Sequence, residues 1–192
     1  MRVIAGSRRS IRLVTVKGEQ VRPTTDRIKE TLFNILQPDL PGAYFLDLFA
    51  GSGAIGIEAL SRGAKEAVLV EQNKEALACI RANLKATRFE EEAQVKAGDV
   101  LTVLRTMQHA PFDLIFMDPP YRLSLEEKVL AVLRDAPFVE RYTKIIVEAS
   151  ADTDFSYAES MGFSVYREKY YGSNKHIFLE KNYEKRNLSG EL

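Results

Sequence analysis

From Tyr44 onward the chain repeats one pattern: a short apolar run, a stop containing Gly or Asp, then a longer stretch with helical spacing. This alternation limits the fold more than any other feature, because it is how parallel strands joined by crossover helices read in sequence. Strands are predicted at 44–48, 66–71, 93–97, 112–117, 143–149, 163–169 and 175–180. The first five are followed by helices beginning near 54, 73, 99, 124 and 154. Only Tyr170 to Asn174 joins the last two strands, too few residues for a crossover, so they should pair as an antiparallel hairpin. The expected fold is α/β, a Rossmann-like seven-stranded sheet with its last strand antiparallel.

Upstream, Val3–Ala5 and Ile11–Val16 read as a short β-hairpin around Gly6 to Ser10. Thr24-Thr25-Asp26 can cap a helix whose apolar residues are Ile28, Leu32, Ile35 and Leu36, stopping near Pro38. The expected division is a basic hairpin arm at 1–22, a single domain at 23–180 and a frayed polar tail at 181–192. Net charge is zero, with 27 basic and 27 acidic residues, yet the first thirty residues hold eight Lys/Arg against three acids. A basic arm on an acidic body lets a neutral protein meet phosphates, and Arg2, Arg8, Arg9 and Arg12 are the candidates. Charge alone fits a solvated hairpin as well.

A composition 45% hydrophobic and 28% charged excludes disorder, collagen and low complexity. The lone Cys79 excludes an internal disulfide and a cysteine-based zinc site, and is read as a buried filler. No apolar run is long enough to span a membrane and no secretory signal opens the chain, so cytoplasm is expected. His109 and His176 form no cluster with each other or with Cys79, and no metal site is assigned.

The candidate site lies at the strand ends. Phe45 to Gly56 is a strand, a Gly-rich turn and a helix start, in which Gly51 and Gly53 let backbone approach a ligand. A tight structural turn would look the same; the preceding buried strand favours a ligand. Glu71 ends the next strand, about 20 residues past the first glycine, where a carboxylate can accept ribose hydroxyls. Asp47 just before the turn would repel a pyrophosphate but meet a cationic amino-acid group. S-adenosylmethionine has the cation and lacks the phosphates. After the third strand, Asp99 can accept from the adenine amine and Val100 offers backbone and an apolar face. Asp99 can also cap the following helix, and the two roles are compatible.

Asp118-Pro119-Pro120-Tyr121 follows the apolar run Phe112 to Met117, at the carboxyl edge where ligands of such sheets bind. An aryl amine is a weak nucleophile that must be held in line with the methyl group. Hydrogen bonds to the Asp118 carboxylate and the Pro119 carbonyl would hold it. Asp118 can then take the departing proton, while Tyr121 stacks on the target base.

With these residues in hand, the chain resembles the RsmD family of 16S ribosomal RNA guanine-N2 methyltransferases, class I enzymes dependent on S-adenosylmethionine. The matching stretches are Arg2 to Gly6, Arg22-Pro23-Thr24-Thr25-Asp26-Arg27 and on to Leu36, Asp47 to Ala64, and Asp118 to Tyr121. The resemblance implies cofactor contacts from Asp47, Gly51, Gly53, Glu71, Asp99 and Val100, and a catalytic turn at Asp118, Pro119, Pro120 and Tyr121. It also places Arg22 and Thr24 near the mouth of the site. The implied partner is 16S rRNA in assembled or assembling small subunits, met by a monomer. Three other readings compete: a DNA adenine-N6 methyltransferase, for which 192 residues leave little room; a nicotinamide oxidoreductase, which gives the Pro-Pro turn no task; and a non-catalytic ribosome-assembly factor.

Overall fold

A computed structural model of the chain describes residues 1–16, 26–120 and 125–182. After α1 (Asp26–Leu36) the elements alternate as expected: β1 (Tyr44–Leu48), α2 (Ala54–Ser61), β2 (Glu66–Glu71), α3 (Lys74–Thr87), β3 (Ala93–Ala97), α4 (Val100–Thr106), β4 (Leu114–Met117), α5 (Leu125–Asp135), β5 (Lys144–Ser150) and α6 (Tyr157–Ser160). A hairpin of β6 (Phe163–Tyr171) and β7 (Asn174–Lys181) follows. The strands form one sheet in the order β3-β2-β1-β4-β5-β7-β6. β1 to β5 run parallel, and β7 enters between β5 and β6, antiparallel to both.

Alternation along the strands divides the apolar side chains between two layers. Phe45, Leu69, Phe116, Ile146 and Phe178 face α1, α2 and α3. Leu46, Val68, Met117, Val147 and Leu179 face α4, α5 and α6. Each central strand is therefore buried on both sides, which is why it reads as an unbroken apolar run.

Three expectations change. The N-terminal strands Val3–Ala5 and Ile11–Val16 reduce to a single bridge, Arg2 opposite Arg12, around a 3₁₀ turn at Gly6–Arg8. The two segments still share backbone bonds, Val3 N–H to Ile11 O, Ser10 N–H to Val3 O and Leu13 N–H to Met1 O, and side chains of α2 and α3 take further backbone N–H groups. Ile4 and Ala5 N–H donate to Glu58, Arg8 N–H donates to Ser61 Oγ, and Val14 N–H donates to Asn83 Oδ1. Val3 and Leu13 are thereby pinned into the same core as α1. The buried stripe of α1 is Lys29, Leu32, Phe33 and Leu36, rotated one position from the predicted face. Cys79 is only partly buried. Thr24, Thr25 and the tail from 183 lie outside the described residues. Among the described residues no helix is long and apolar enough to cross a membrane, and no cluster has the donors for a metal ion.

Candidate active site

The carboxyl ends of β1 and β4 meet beside a small cavity of about 110 Å³. Its lining includes Lys29, Asp47, Phe49, Gly51, Phe116 and Asp118. Residues predicted from separate motifs, 47, 51 and 118, are thus brought to one place.

The turn after β1 is shaped by its own backbone. Gly53 N–H donates to Ala50 O at 2.7 Å, Ala50 N–H donates to Val70 O, and Phe49, Gly51 and Gly53 have φ of 61°, 54° and 76°. Two glycines serve two needs. A Cβ on Gly53 would come within 2.9 Å of Leu69, so this position is closed by packing. A Cβ on Gly51 would meet nothing within 4 Å, so its bare backbone faces open space beside the cavity. Phe49 holds a left-handed conformation unfavourable for a bulky residue, a strain of the kind found where a turn must aim backbone at a ligand.

The three predicted cofactor carboxylates are each held by backbone donors. Asp47, almost fully buried, accepts from Gly56 N–H at 2.9 Å. Burial pushes its carboxyl up to about 7; the Gly56 bond opposes the shift and the charge of Glu71 adds to it. Glu71 accepts from Gly51 N–H through one oxygen and from Gln72 and Asn73 N–H through the other. Asp99 caps α4, its Oδ1 accepting from Thr102 N–H and Oγ–H, so the capping role is realised and the second carboxylate oxygen stays available. Val100 is buried at the start of that helix. Glu71, Asp99 and Val100 lie outside the cavity lining, further along the sheet edge.

Asp118 differs. Burial and the charges of Glu148, Asp47 and Glu126 push its carboxyl up to about 8, with no hydrogen bond from a described residue to offset them. Pro119 is buried behind it and Pro120 is exposed. Tyr121 lies outside the described residues, as do Arg22 and Thr24.

Sequence reasoning missed a second layer of charge. Lys29 (1% exposed) donates to Arg2 O at 2.7 Å and pairs with fully buried Glu58 at 3.4 Å. Burial lowers the Lys29 ammonium below its ordinary value despite Glu58. Glu58 also takes Arg62 Nε at 2.8 Å and the two backbone N–H groups of the N-terminal segment. One carboxylate therefore ties the segment, α1 and α2 together around the cavity. The available signal was a lysine at the i, i+3, i+4 spacing of Leu32, Phe33 and Leu36.

The predicted arginines are unlike one another. Arg8 is half-buried, its Nε donating to Thr87 O at 2.6 Å and its guanidinium lying over Phe89. Arg2, Arg9 and Arg12 are exposed. Arg2 pairs with Asp26, and its bridge to Arg12 sets both next to Met1, which lines the cavity. His109 stacks on Phe112 near the opposite edge of the sheet, far from this chemistry.

The comparisons with known proteins agree with this geometry. The family model described as conserved hypothetical protein 95 matches residues 1–180. The ribosomal RNA small subunit methyltransferase D of Escherichia coli is 36% identical, over 90% of this chain and 85% of its own length. The protein of the same name from Haemophilus influenzae is 38% identical over 79% of this chain and 80% of its own. A solved structure of YhhF, a candidate methyltransferase from Escherichia coli, superposes with a TM-score of 0.81 at 34% identity, covering 96% of this chain and 99% of that one. The sheet order, the last strands and the helices around them are those of class I methyltransferases. The chain belongs to the conserved hypothetical protein 95 family, that of the ribosomal RNA small subunit methyltransferases D.

Proposed function

We propose that the protein transfers a methyl group from S-adenosylmethionine to the exocyclic N2 amine of a guanine in small-subunit ribosomal RNA. The observation that carries this reading is the convergence of Asp47, the bare backbone of Gly51 and Asp118 on one cavity. The relatives named above support the RNA by their names.

The residues present fit the cofactor. Asp47 is a buried carboxyl beside open glycine backbone, suited to a cationic amino-acid group and hostile to a pyrophosphate. The cavity is too small for a whole nucleoside, so it suits the amino-acid end, leaving Glu71 and Asp99 along the open edge for ribose and adenine. When bound, S-adenosylmethionine supplies an electrophilic methyl group on a sulfonium.

The chain's own residues do the rest. Asp118 and the Pro119 carbonyl accept the two N–H bonds of the amine, leaving its lone pair directed at the methyl carbon. With the methyl group supplied to the nitrogen, Asp118 would take the proton that the nitrogen releases. Burial and the neighbouring charges push this carboxyl up to about 8, which makes it, once ionised, a stronger proton acceptor than an ordinary aspartate. Tyr121 stacks on the extruded base, and exposed Arg2, Arg9 and Arg12, with Arg22 and Thr24, meet RNA at the mouth.

The test incubates the protein with methyl-labelled S-adenosylmethionine and unmodified small ribosomal subunits, digests the RNA and identifies the labelled nucleoside by mass spectrometry. N2-methylguanosine is expected. Absence of label in a protein shown to bind the cofactor would redirect the search to DNA adenine and then to a non-catalytic assembly role.

A further inference from the structure

Beyond Asp118 the same sheet face carries a polar group that the reaction above does not use. Met117 pairs with Val147 and Glu148 pairs with His176, so Asp118, Glu148 and His176 fall on one rung across β4, β5 and β7. Ile146 and Phe178, two residues away on their strands, face the α1 layer, and by strand alternation Glu148 and His176 face it too. The His176 ring sits 6.2 Å from that of Phe116, which lines the cavity. Glu148 is the leading charge acting on Asp118.

The group is buried and incompletely satisfied. Glu148 (4% exposed) is held by His176 Nε2 at 3.2 Å and Asn174 Nδ2 at 3.3 Å, leaving lone pairs on both oxygens. His176 (1% exposed) has its Nδ1 without a hydrogen-bond partner among the described residues, and so does the buried Oη of Tyr171, whose ring lies 4.9 Å from that of His176. Glu148 also raises the Tyr171 hydroxyl, behind the larger effect of burial, so the oxygen keeps its proton and is a donor. Buried polar atoms left open in this way are costly unless something pairs with them.

Asp118 and Glu148 are adjacent acceptors on this rung, and Tyr171, on β6 with its ring against that of His176, is a donor beyond them. A guanine presents the complement on its Watson–Crick edge: the N2 amine, N1–H and the O6 acceptor. Adenine has no hydrogen on N1 and would set a lone pair against a buried carboxylate. We propose that Glu148 reads N1–H and Tyr171 Oη–H donates to O6, making Asp118, Glu148 and Tyr171 the set that selects guanine, with His176 the positioning residue that orients Glu148. The inference rests on the function proposed above and names the specificity of that same site.

Small subunits reconstituted with guanine or 2-aminopurine at the position labelled in the preceding experiment test it. 2-Aminopurine keeps the N2 amine but has a bare N1 and no O6. The wild-type protein should prefer guanine in kcat/KM by at least about 100-fold, because the analogue leaves buried groups unpaired. Glu148→Gln, whose amide can accept from N1–H or donate to a bare N1, should bring the ratio within about tenfold. Tyr171→Phe, which removes an unpartnered hydroxyl and should fold normally, should slow guanine by about tenfold and leave 2-aminopurine unchanged. His176→Gln, which keeps a donor, should hold the wild-type ratio, whereas His176→Phe should lower it. Guanine labelled with the wild-type ratio retained in Glu148→Gln and Tyr171→Phe would overturn the assignment and leave the methyltransferase reading standing. Label on adenine, or on no base, would remove both.

Discussion

The two halves of the sheet edge satisfy their polar groups in opposite ways. On the β1–β2–β3 side, Asp47, Glu71 and Asp99 all accept backbone N–H bonds from the turns and helix starts they adjoin. On the β4–β5–β7 side, Asp118 faces the charges of Glu148, Asp47 and Glu126, and the inner atoms of His176 and Tyr171 lack partners among the described residues. One half has its carboxylates tied to backbone donors; the other keeps unmet hydrogen-bonding capacity. Perturbed carboxyls and unpaired buried atoms gather where a ligand completes the structure. Under the proposed function, the first half is the one that binds the cofactor and the second the one that receives the group to be modified.

The largest blow to this contrast should come from Asp118→Ala. Methyl transfer should fall by about 10²- to 10⁴-fold while cofactor affinity stays within about twofold. Single-turnover rates with calorimetric binding would check it, and unchanged transfer would erase the distinction between the halves. Next, Glu58→Ala removes the shared partner of Lys29 and Arg62 beneath the first half, and should cost about 3–5 kcal/mol in urea unfolding.

A smaller effect concerns pH. Asp47 and Asp118 have folded values raised to about 7 and about 8 from 3.8, so the native state binds more protons than the unfolded chain over that window. Their contribution to stability is therefore present below about pH 4 and is lost as pH rises toward 8. Asp118→Asn should flatten the upper part of that decline, read as a midpoint gain over wild type at pH 8 that vanishes at pH 4. An equal gain at both would show that the second half carries no such strain. Smallest, charge reversal at exposed Arg9 and Arg12 should lower the salt slope of RNA binding by about 1 to 2, whereas Arg8, tied to Thr87 and Phe89, should act mainly on stability. A full loss of slope from Arg8 alone would reverse that division.

How much of this was legible depended on how local its cause is. β1 and β2 lie where their apolar runs lie, because burial on both faces needs no information from elsewhere. The N-terminal hairpin pairs over a shorter stretch than expected because side chains more than fifty residues away, Glu58, Ser61 and Asn83, take backbone N–H groups of both segments. The phase of α1 slipped because Lys29 was counted as polar although its ammonium is buried against Glu58. Asp47, Gly51 and Asp118 were found because each stands at the end of a readable strand. Glu148 and His176 stand at strand ends too, but the pairing that unites them is a register, and periodicity does not reveal register.

The position of β7 has a further consequence for the order of assembly. β1 to β3 with their helices, and with them the glycine turn and the donors to all three carboxylates, are complete by the end of α4 at Thr106. His176 arrives last, on a strand that must insert between β5 and β6. A domain folds as a unit, so the single sheet closes only once this C-terminal hairpin has been made. Competence for transfer would switch on with the closing of the sheet.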